Sequence, residues 1–400
     1  MYGSHKIKAS LPGLLFSLLI IAVSCERESS GPAGAESFIK FFSYHGIEEG
    51  IGVKAIDDMG YVMVGNTVTE ESGVDIVLIR TDEYGNEMGN VKYFGGDGDD
   101  RANTFIVLSD GGFAILGSTT SGPGNMKRMY LVRTDNQGNK IWARDYNSNT
   151  DEIGYSLAET RDGGFVMLGT AADPVTGNTN IRIVKTDPEG STRWSRTHGG
   201  VDDDKGLDII ETNYGFIYTG STRSYPNPGQ SGSNIFIVKT NPSGIVTYPY
   251  TYGRSGDDYG RRILSLPGGG YIVMGTATDP ATGIRNVYLG QIGEDIAQAL
   301  WTNTYGGDVN HTATCIKVTP EGDYIITGTQ ELTDENHVIF LLKTDPDGNE
   351  IFFRTFGGSG RQRAESVDIA KDGGYIITGS NNSEDFSTIT LIKTQPDGRL

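Results

Sequence analysis

The feature that most constrains the fold is a glycine that returns at nearly constant spacing along the chain. In each copy it ends a short apolar pattern, as in Tyr61-Val-Met-Val-Gly65 and Tyr375-Ile-Ile-Thr-Gly379. The intervals between successive glycines are 52, 52, 51, 55, 53 and 51 residues. Such a period indicates a repeat architecture in which each repeat is one supersecondary unit. The glycines are Gly65, Gly117, Gly169, Gly220, Gly275, Gly328 and Gly379.

Each repeat carries the pattern of four short β-strands. A Gly-Gly pair with acidic residues opens the first strand, and a turn such as Asp110-Gly-Gly leads into the second. The third strand ends in a basic residue, as in Ile181-Arg-Ile-Val-Lys185, and the fourth carries Trp or another aromatic residue. Alternating apolar residues between Gly, Asn and Asp turns are typical of strands. We therefore predict an all-β protein of four-stranded antiparallel sheets.

The two ends of the repeat region predict how these sheets are arranged. The last repeat reaches only the turn at 395–400, whereas an extra strand pattern, Phe38–Tyr44, precedes the first repeat. One four-stranded sheet buries too little surface alone, but sheets packed around an axis bury both faces. We predict a seven-bladed β-propeller over residues 37–400 whose N-terminal strand completes the last blade. A linear β-solenoid is the alternative, and it gives no reason for this permutation.

The N-terminal segment has the organisation of a secretion signal. Lys6 and Lys8 precede an apolar run over residues 11–23, which is too short to span a bilayer. Small residues lead to Cys25, and this arrangement resembles the lipobox of bacterial lipoproteins, although Ala22 stands where that motif usually has Leu. The resemblance implies a signal peptide over residues 1–24, acylation of Cys25 and a flexible tether over 25–36. An ordinary secretory signal cleaved nearby is the alternative.

The repeats resemble those of secreted and lipid-anchored bacterial β-propellers, which are often grouped with quinoprotein-like or kelch-like propellers. The resemblance rests on segments such as Gly-Gly-Asp-Gly-Asp-Asp at 95–100 and Asp-Gly-Gly-Tyr-Ile-Ile-Thr-Gly-Ser at 372–380, and it covers residues 37–400. It implies the architecture but no particular activity, because propellers host many functions.

The net charge of −18 limits the partners that the chain can bind. We expect no nucleic acid, and membrane association through the lipid anchor only, because phosphate groups repel so acidic a surface. The expected location is the cell envelope, as an outer membrane lipoprotein that is periplasmic or surface-exposed. The only cysteines are Cys25 and Cys315, so acylation of the first leaves no disulfide.

Acidic residues lie at the start of the first strand in five of the seven repeats. If they lie at one mouth of a central channel, their oxygens could bind Ca²⁺, with Asp99, Asp100, Asp257 and Asp258 as candidate ligands. In the other interpretation these carboxylates accept backbone N–H bonds in the loops between blades, or pair with the basic residues that end the third strands. The candidate ligand-binding residues at this mouth are Asp100, Glu152, Asp204, Asp258 and His311.

An aromatic residue recurs five positions before the opening of most repeats. A binding site rarely needs an equivalent contact in every repeat, so we predict that these side chains pack between blades. The series is Phe41, Trp142, Trp194, Tyr248, Trp301 and Phe352.

The motifs of known catalytic sites are missing from the sequence. It has no Gly-x-Ser-x-Gly segment, no phosphate-binding loop and no closely spaced His and Cys cluster. We therefore expect a non-enzymatic binding or scaffold module without a resident cofactor, whose partner is a protein or a glycan. Its longest variable loop, 224–233, is the strongest interaction candidate. The alternative is a glycan-active hydrolase or lyase that uses acidic residues at the channel mouth.

Overall fold

The computed structural model describes residues 36–56, 60–69, 73–147, 149–225, 231–253, 256–383 and 386–400. The predicted signal peptide, Cys25 and almost all of the predicted tether lie outside these residues. In the described part of the chain, no helix is long and apolar enough to cross a membrane.

Short strands separated by tight turns make up the regular structure, together with a 3-10 turn at Pro123–Asn125. In chain order the strands are β1 (Phe38–Phe42), β2 (Glu48–Ile56), β3 (Gly60–Thr69), β4 (Gly73–Thr81), β5 (Lys92–Phe94), β6 (Asp100–Val107), β7 (Phe113–Thr119), β8 (Arg128–Thr134), β9 (Lys140–Tyr146), β10 (Glu152–Glu159), β11 (Phe165–Ala172), β12 (Thr179–Thr186), β13 (Thr192–His198), β14 (Asp204–Thr212), β15 (Gly215–Thr222), β16 (Asn234–Thr240), β17 (Val246–Tyr252), β18 (Tyr259–Ser265), β19 (Tyr271–Thr278), β20 (Arg285–Ile292), β21 (Ala299–Tyr305), β22 (Asn310–Val318), β23 (Tyr324–Thr333), β24 (Asn336–Thr344), β25 (Glu350–Phe356), β26 (Arg361–Ile369), β27 (Tyr375–Asn382) and β28 (Ser387–Lys393).

Consecutive strands pair antiparallel in sets of four. Sheet 1 is β2–β5, sheet 2 is β6–β9, sheet 3 is β10–β13, sheet 4 is β14–β17, sheet 5 is β18–β21 and sheet 6 is β22–β25. Sheet 7 contains β26–β28 and β1, and a single parallel pairing of His337 with Arg361 joins it to sheet 6. The prediction of an all-β protein made of four-stranded antiparallel sheets is confirmed.

Strand β1 takes the place of the fourth strand in sheet 7. It pairs antiparallel with β28, so that Phe38 lies opposite Lys393 and Phe42 lies opposite Ile389. Phe42 is buried in a cluster that also contains Val53 of sheet 1. The pairing therefore joins the first described strand of the chain to the last.

The first strand of each sheet, here called the inner strand, contacts the inner strands of two other sheets. The contacts run from β2 through β6, β10, β14, β18 and β22 to β26, which contacts β2 again. Each inner strand has a β-bulge at the same position, where one residue is left out of the pairing with the second strand. The bulge residues are Ile51, Asn103, Tyr155, Leu207, Arg261, Thr314 and Glu365.

Apolar side chains fill the spaces between successive sheets. One cluster joins Val166 of sheet 3 to Phe216 and Tyr218 of sheet 4. The tryptophans of the fourth strands and Phe352 border these clusters, as expected from the sequence. Tyr248 of sheet 4 is 47% exposed, so its prediction as a residue that packs between blades was wrong. The Trp142 ring contacts Phe165 of the next sheet with centroids 5.9 Å apart, in an edge-to-face arrangement that favours aromatic pairs.

The member of this aromatic series in sheet 7 is Phe38, so the assignment of Phe41 was wrong. Phe38 lies opposite Lys393 as Trp142 lies opposite Arg133, and its ring contacts Tyr61 of sheet 1. Phe41 is 57% exposed. In sheet 1 the acidic residue Glu48 comes two residues after Gly46 rather than five, so a count back from that glycine falls three residues beyond the aromatic position.

The position of β1 predicts different effects for two neighbouring phenylalanines. Phe42→Ala should lower the free energy of unfolding by about 3 kcal/mol, because it leaves a cavity where sheet 7 contacts sheet 1. Phe41→Ala, at an exposed position of the same strand, should change it by less than about 0.5 kcal/mol. Urea denaturation measures both values. Equal effects would contradict the pairing of β1 with β28.

Candidate functional site

A buried carboxylate lies at the start of several inner strands. The Oδ2 of Asp204 accepts hydrogen bonds from the Gly200 backbone N–H at 2.8 Å and from the Ser224 hydroxyl at 2.7 Å. The Thr222 hydroxyl donates to Oδ1 of the same carboxylate. Asp100 accepts the equivalent turn N–H and serine hydroxyl bonds in sheet 2. These carboxylates fix the turn from which the inner strand begins.

Two other acidic residues at this position have different partners. Glu152 is fully buried, and its Oε1 lies 3.3 Å from Nε of Arg182 on the third strand of its own sheet. Asp258 accepts a 2.8 Å hydrogen bond from the Thr278 backbone N–H through Oδ1. Both carboxylates are therefore engaged within their own sheets.

In sheet 6 the equivalent position is occupied by a histidine. Nδ1 of His311 lies 2.9 Å from the Val309 carbonyl oxygen, and its ring contacts Phe340 and Phe353 edge-on. Burial lowers the pKa of His311 below its ordinary value, so the imidazole is neutral at pH 7. His311 thus packs inside the sheet rather than facing an open channel mouth.

In sheets 2 to 5 an acidic residue just before the buried carboxylate links its sheet to the preceding one. Oδ1 of Asp203 accepts a 2.8 Å hydrogen bond from the Thr179 backbone N–H, at the start of the third strand of sheet 3. Asp99 accepts the equivalent bond from Val74 of sheet 1, and Asp257 accepts one from sheet 4. The backbone hydrogen bond is the largest of the effects that lower the pKa values of Asp203 and Asp257.

The five candidate ligand residues therefore lie one to a sheet, and the structure does not bring them together. Among the described residues, no three or more His, Cys, Asp or Glu side chains are arranged to bind a metal ion. The contacts of the acidic residues match the structural interpretation, in which carboxylates accept backbone N–H bonds between blades. The residues are Asp100, Glu152, Asp204, Asp258 and His311.

The proposed pairing of these acids with the basic residues that end the third strands was wrong. Nζ of Lys185 lies 2.8 Å from Asp162, and Nζ of Lys393 lies 2.8 Å from Asp372. Both acids belong to the turn between the first and second strands. The third strand runs in the same direction as the first, so its end lies beside that turn and far from the start of the inner strand.

The inner strands place a further set of charged side chains in the space that they enclose, here called the channel. Nη2 of Arg261 in sheet 5 lies 3.7 Å from Oε2 of Glu365 in sheet 7. Both are bulge residues, and the contact passes over sheet 6. Burial raises the pKa of Glu365, against the opposing effect of Arg261, Arg262 and Arg363.

A second charged group lies where the inner strands end. Nζ of Lys317 is 3.4 Å from Asp368, whose other oxygen accepts a hydrogen bond from the Ala55 backbone N–H. Burial and the nearby Lys317 lower the pKa of Lys54 to about 8. Neither group was predicted from the sequence, because the residues at these positions vary from repeat to repeat and follow no repeated pattern of charge. The available signal was the charged residues that interrupt the alternating pattern of the first strands.

A cleft of about 500 Å³ opens at the end of the channel where the inner strands begin. Its volume lies within the roughly 300–1,000 Å³ typical of small-molecule sites. Arg223 and Ser233, at the two ends of the longest variable loop, line it. The inner-strand residues that line it are Tyr155, Lys205, Leu207, Tyr259 and Arg261.

Comparison with known proteins identifies the class of fold. Neither the family profiles nor the curated protein sequences contain a match to this chain. Among solved structures, the WD40 domain of Pan2 from Neurospora crassa is similar, with a TM-score of 0.52, 9% identity, and coverage of 86% of this chain and 89% of that one. Together with the four-stranded antiparallel sheets, this similarity shows a β-propeller fold.

Two hydrolases also contain a similar structure. Puromycin hydrolase gives a TM-score of 0.52 at 12% identity, and the acylaminoacyl peptidase of Pyrococcus horikoshii gives 0.50 at 10% identity. Each comparison covers 86% of this chain but 51% of the other, so this chain spans about half the length of either enzyme. At such low identity the similarity concerns the fold alone.

Three consecutive aspartates allow a test of the role of the buried carboxylate. Asp204→Ala should lower the free energy of unfolding by about 2–3 kcal/mol, because it leaves buried donors without an acceptor. Asp202→Ala, at an exposed side chain, should change it by less than about 0.5 kcal/mol. Urea denaturation measures both.

Thermal melting with and without Ca²⁺ is a second test of whether these carboxylates have a structural role or bind a metal ion. At matched ionic strength, Ca²⁺ should leave the melting temperature of the metal-stripped protein unchanged, because the acidic residues already have backbone partners. A rise specific to Ca²⁺, which disappears when Asp100→Asn is combined with Asp258→Asn, would contradict this role and favour a metal site.

Proposed function

We propose that the chain is a seven-bladed β-propeller lipoprotein of the cell envelope, whose seventh blade is completed by β1 and whose anchor is acylated Cys25. The spacing of the seven glycines, the pairing of β1 with β28 and the contact of β2 with β26 support the blade number. The apolar run that leads to Cys25 supports the anchor. The proposed location is the outer membrane, with the propeller in the periplasm or on the cell surface.

The proposed activity is non-enzymatic binding of a glycan in the cleft at the end of the channel. The observation that carries this proposal is the cleft itself, in which side chains of sheets 3, 4 and 5 converge beside the longest variable loop. Two tyrosines, Tyr155 and Tyr259, line it together with polar and charged groups. Aromatic faces and a few polar groups in a concave site are typical of small-molecule recognition.

The contacts of the acidic residues support binding over glycan hydrolysis. A glycosidase needs two carboxyl groups that flank the scissile bond, one of them as a general acid. Asp100 and Asp204 are buried and accept hydrogen bonds from their own turns, and they lie in different sheets. These carboxylates therefore act as structural acceptors in the proposal.

The lipid anchor can be tested in cells. Cys25→Ala should move the protein from the membrane fraction to the soluble fraction, because it removes the acylation site. Wild type should incorporate a fatty-acid analogue in metabolic labelling, whereas the variant should not. A wild-type protein without label would disprove lipidation, and Cys315→Ala serves as the control cysteine variant.

The binding site can be tested with two defined oligosaccharides, neutral cellotriose and acidic trigalacturonate. Full-length protein in a non-ionic detergent should bind at least one of them in isothermal titration, and Tyr259→Ala should weaken that binding by at least about tenfold. Tyr214→Ala is the control, because Tyr214 is 84% exposed and lies outside the cleft. Binding to neither sugar, or equal loss in both variants, would contradict the proposed site.

A further inference from the structure

The cleft carries more positive than negative charge. Lys205, Arg223 and Arg261 line it, and Asp203 is the acidic residue among the described residues of its lining. The Asp203 carboxylate accepts hydrogen bonds from the backbone N–H and the hydroxyl of Thr179, at 2.8 and 2.9 Å. The charges of Lys205 and Arg223 also lower the pKa of Asp203, after the bonds from Thr179, so this one carboxylate offsets part of the positive charge of three cations.

These cations are only weakly neutralised by the protein. Nη2 of Arg223 lies 2.9 Å from Asp257, but both side chains are more than half exposed, at 53% and 60%, so water screens the pair. The contact of Arg261 with Glu365 is long, at 3.7 Å. Lys205 is exposed and forms no ion pair with any residue that the structure describes.

One nitrogen of the Arg261 side chain also has no hydrogen-bond partner among the described residues. This atom is Nε, and it is buried. A guanidinium stays protonated in proteins and has five N–H donors, so a buried donor without an acceptor is costly. The Arg261 side chain as a whole is 31% exposed, so the guanidinium can meet a ligand oxygen in the cleft through another of its N–H groups.

Three cations in one cleft are not a property of every repeat. The bulge position of Arg261 is occupied by Ile51, Asn103 and Leu207 in other sheets. The position of Lys205 is occupied by Ile153 in sheet 3, although Arg101 and Arg363 hold it in sheets 2 and 7. What distinguishes this cleft is the convergence of Lys205, Arg223 and Arg261 on one space. It also stands out against a net charge of −18 for the whole chain.

We propose that the ligand of this cleft is an acidic saccharide. Its carboxylates would bind Lys205, Arg223 and Arg261, and a sugar ring would pack against Tyr155 or Tyr259. Charge-assisted hydrogen bonds from arginine to carboxylate are among the strongest available in proteins. A cleft lined by three cations therefore favours a saccharide with carboxylates over a neutral one. The inference rests on the binding function proposed above and names the chemical class of its ligand.

A pair of ligands that differ only in charge tests this inference. Trigalacturonate and its methyl ester have the same rings and size, but the ester has no negative charge. In isothermal titration with full-length protein in a non-ionic detergent, trigalacturonate should bind at least about tenfold more tightly than the ester. Added salt should weaken the binding of trigalacturonate and leave that of the ester unchanged.

A matched pair of lysine variants locates the charge effect. Lys205→Met should weaken trigalacturonate binding by at least about tenfold, because it removes one of three cations from the cleft. Lys140→Met removes an exposed lysine of sheet 2 and should have no effect. Both variants should keep the wild-type melting temperature, so a loss of binding would not reflect unfolding.

Each remaining outcome decides against the inference. Equal binding of trigalacturonate and its ester, or wild-type affinity in Lys205→Met, would overturn it. Citrate binding as tightly as trigalacturonate would identify a small organic acid as the ligand instead. Binding of cellotriose alone, lost in Tyr259→Ala, would keep the proposed binding function and overturn the acidic ligand, whereas binding of no sugar would overturn both.

Discussion

The hydrogen bonds between turn carboxylates and backbone N–H groups are the interaction on which the rest of the structure depends. In sheet 1, Oε1 of Glu48 accepts three successive backbone N–H groups from residues 44–46. An ionised group can be buried only when such partners replace its water, since an unpaired buried charge is very costly. The preceding acidic residue, as at Asp203, links the turn to the neighbouring sheet. Where both bonds are present, as at Asp203 and Asp204, they set where the inner strand begins and which sheet it contacts.

With its start fixed, each inner strand places its bulge at the same height in the channel. A bulge re-aims one side chain without changing the pairing of the rest of the sheet. The bulge residue is consequently free to vary, from Ile51 to Tyr155, Arg261 and Glu365, while the second strand behind it stays apolar and buried. The repeat thus separates two requirements: the outer positions stabilise the sheets, and the inner positions determine the chemistry of the channel and its cleft.

This separation explains what the sequence could predict. The glycine spacing and the apolar alternation recur in every copy, so the strands, the four-stranded sheets and most of the aromatic packing followed from the pattern, with Phe41 and Tyr248 as the exposed exceptions. The pairing of Lys185 with Asp162 did not, because it depends on the relative direction of strands within a sheet. The contact of Arg261 with Glu365 joins sheets 5 and 7, and no local pattern relates residues so far apart in the chain. The cleft could not be located for the same reason, although the loop that borders it was identified by its length.

The pairing of β1 with β28 has a consequence for the order of events during synthesis. Of the described strands, β1 is made first and its partner β28 is made last, since Phe38 lies opposite Lys393. Sheet 7 cannot be complete until β28 has been made. A chain cut short before β28 keeps the edge of β1 exposed, and exposed strand edges promote aggregation. Such a chain therefore differs from one with a complete sheet 7 in a property that chaperones and proteases can sense, so this one strand pairing also reports whether synthesis has passed β28.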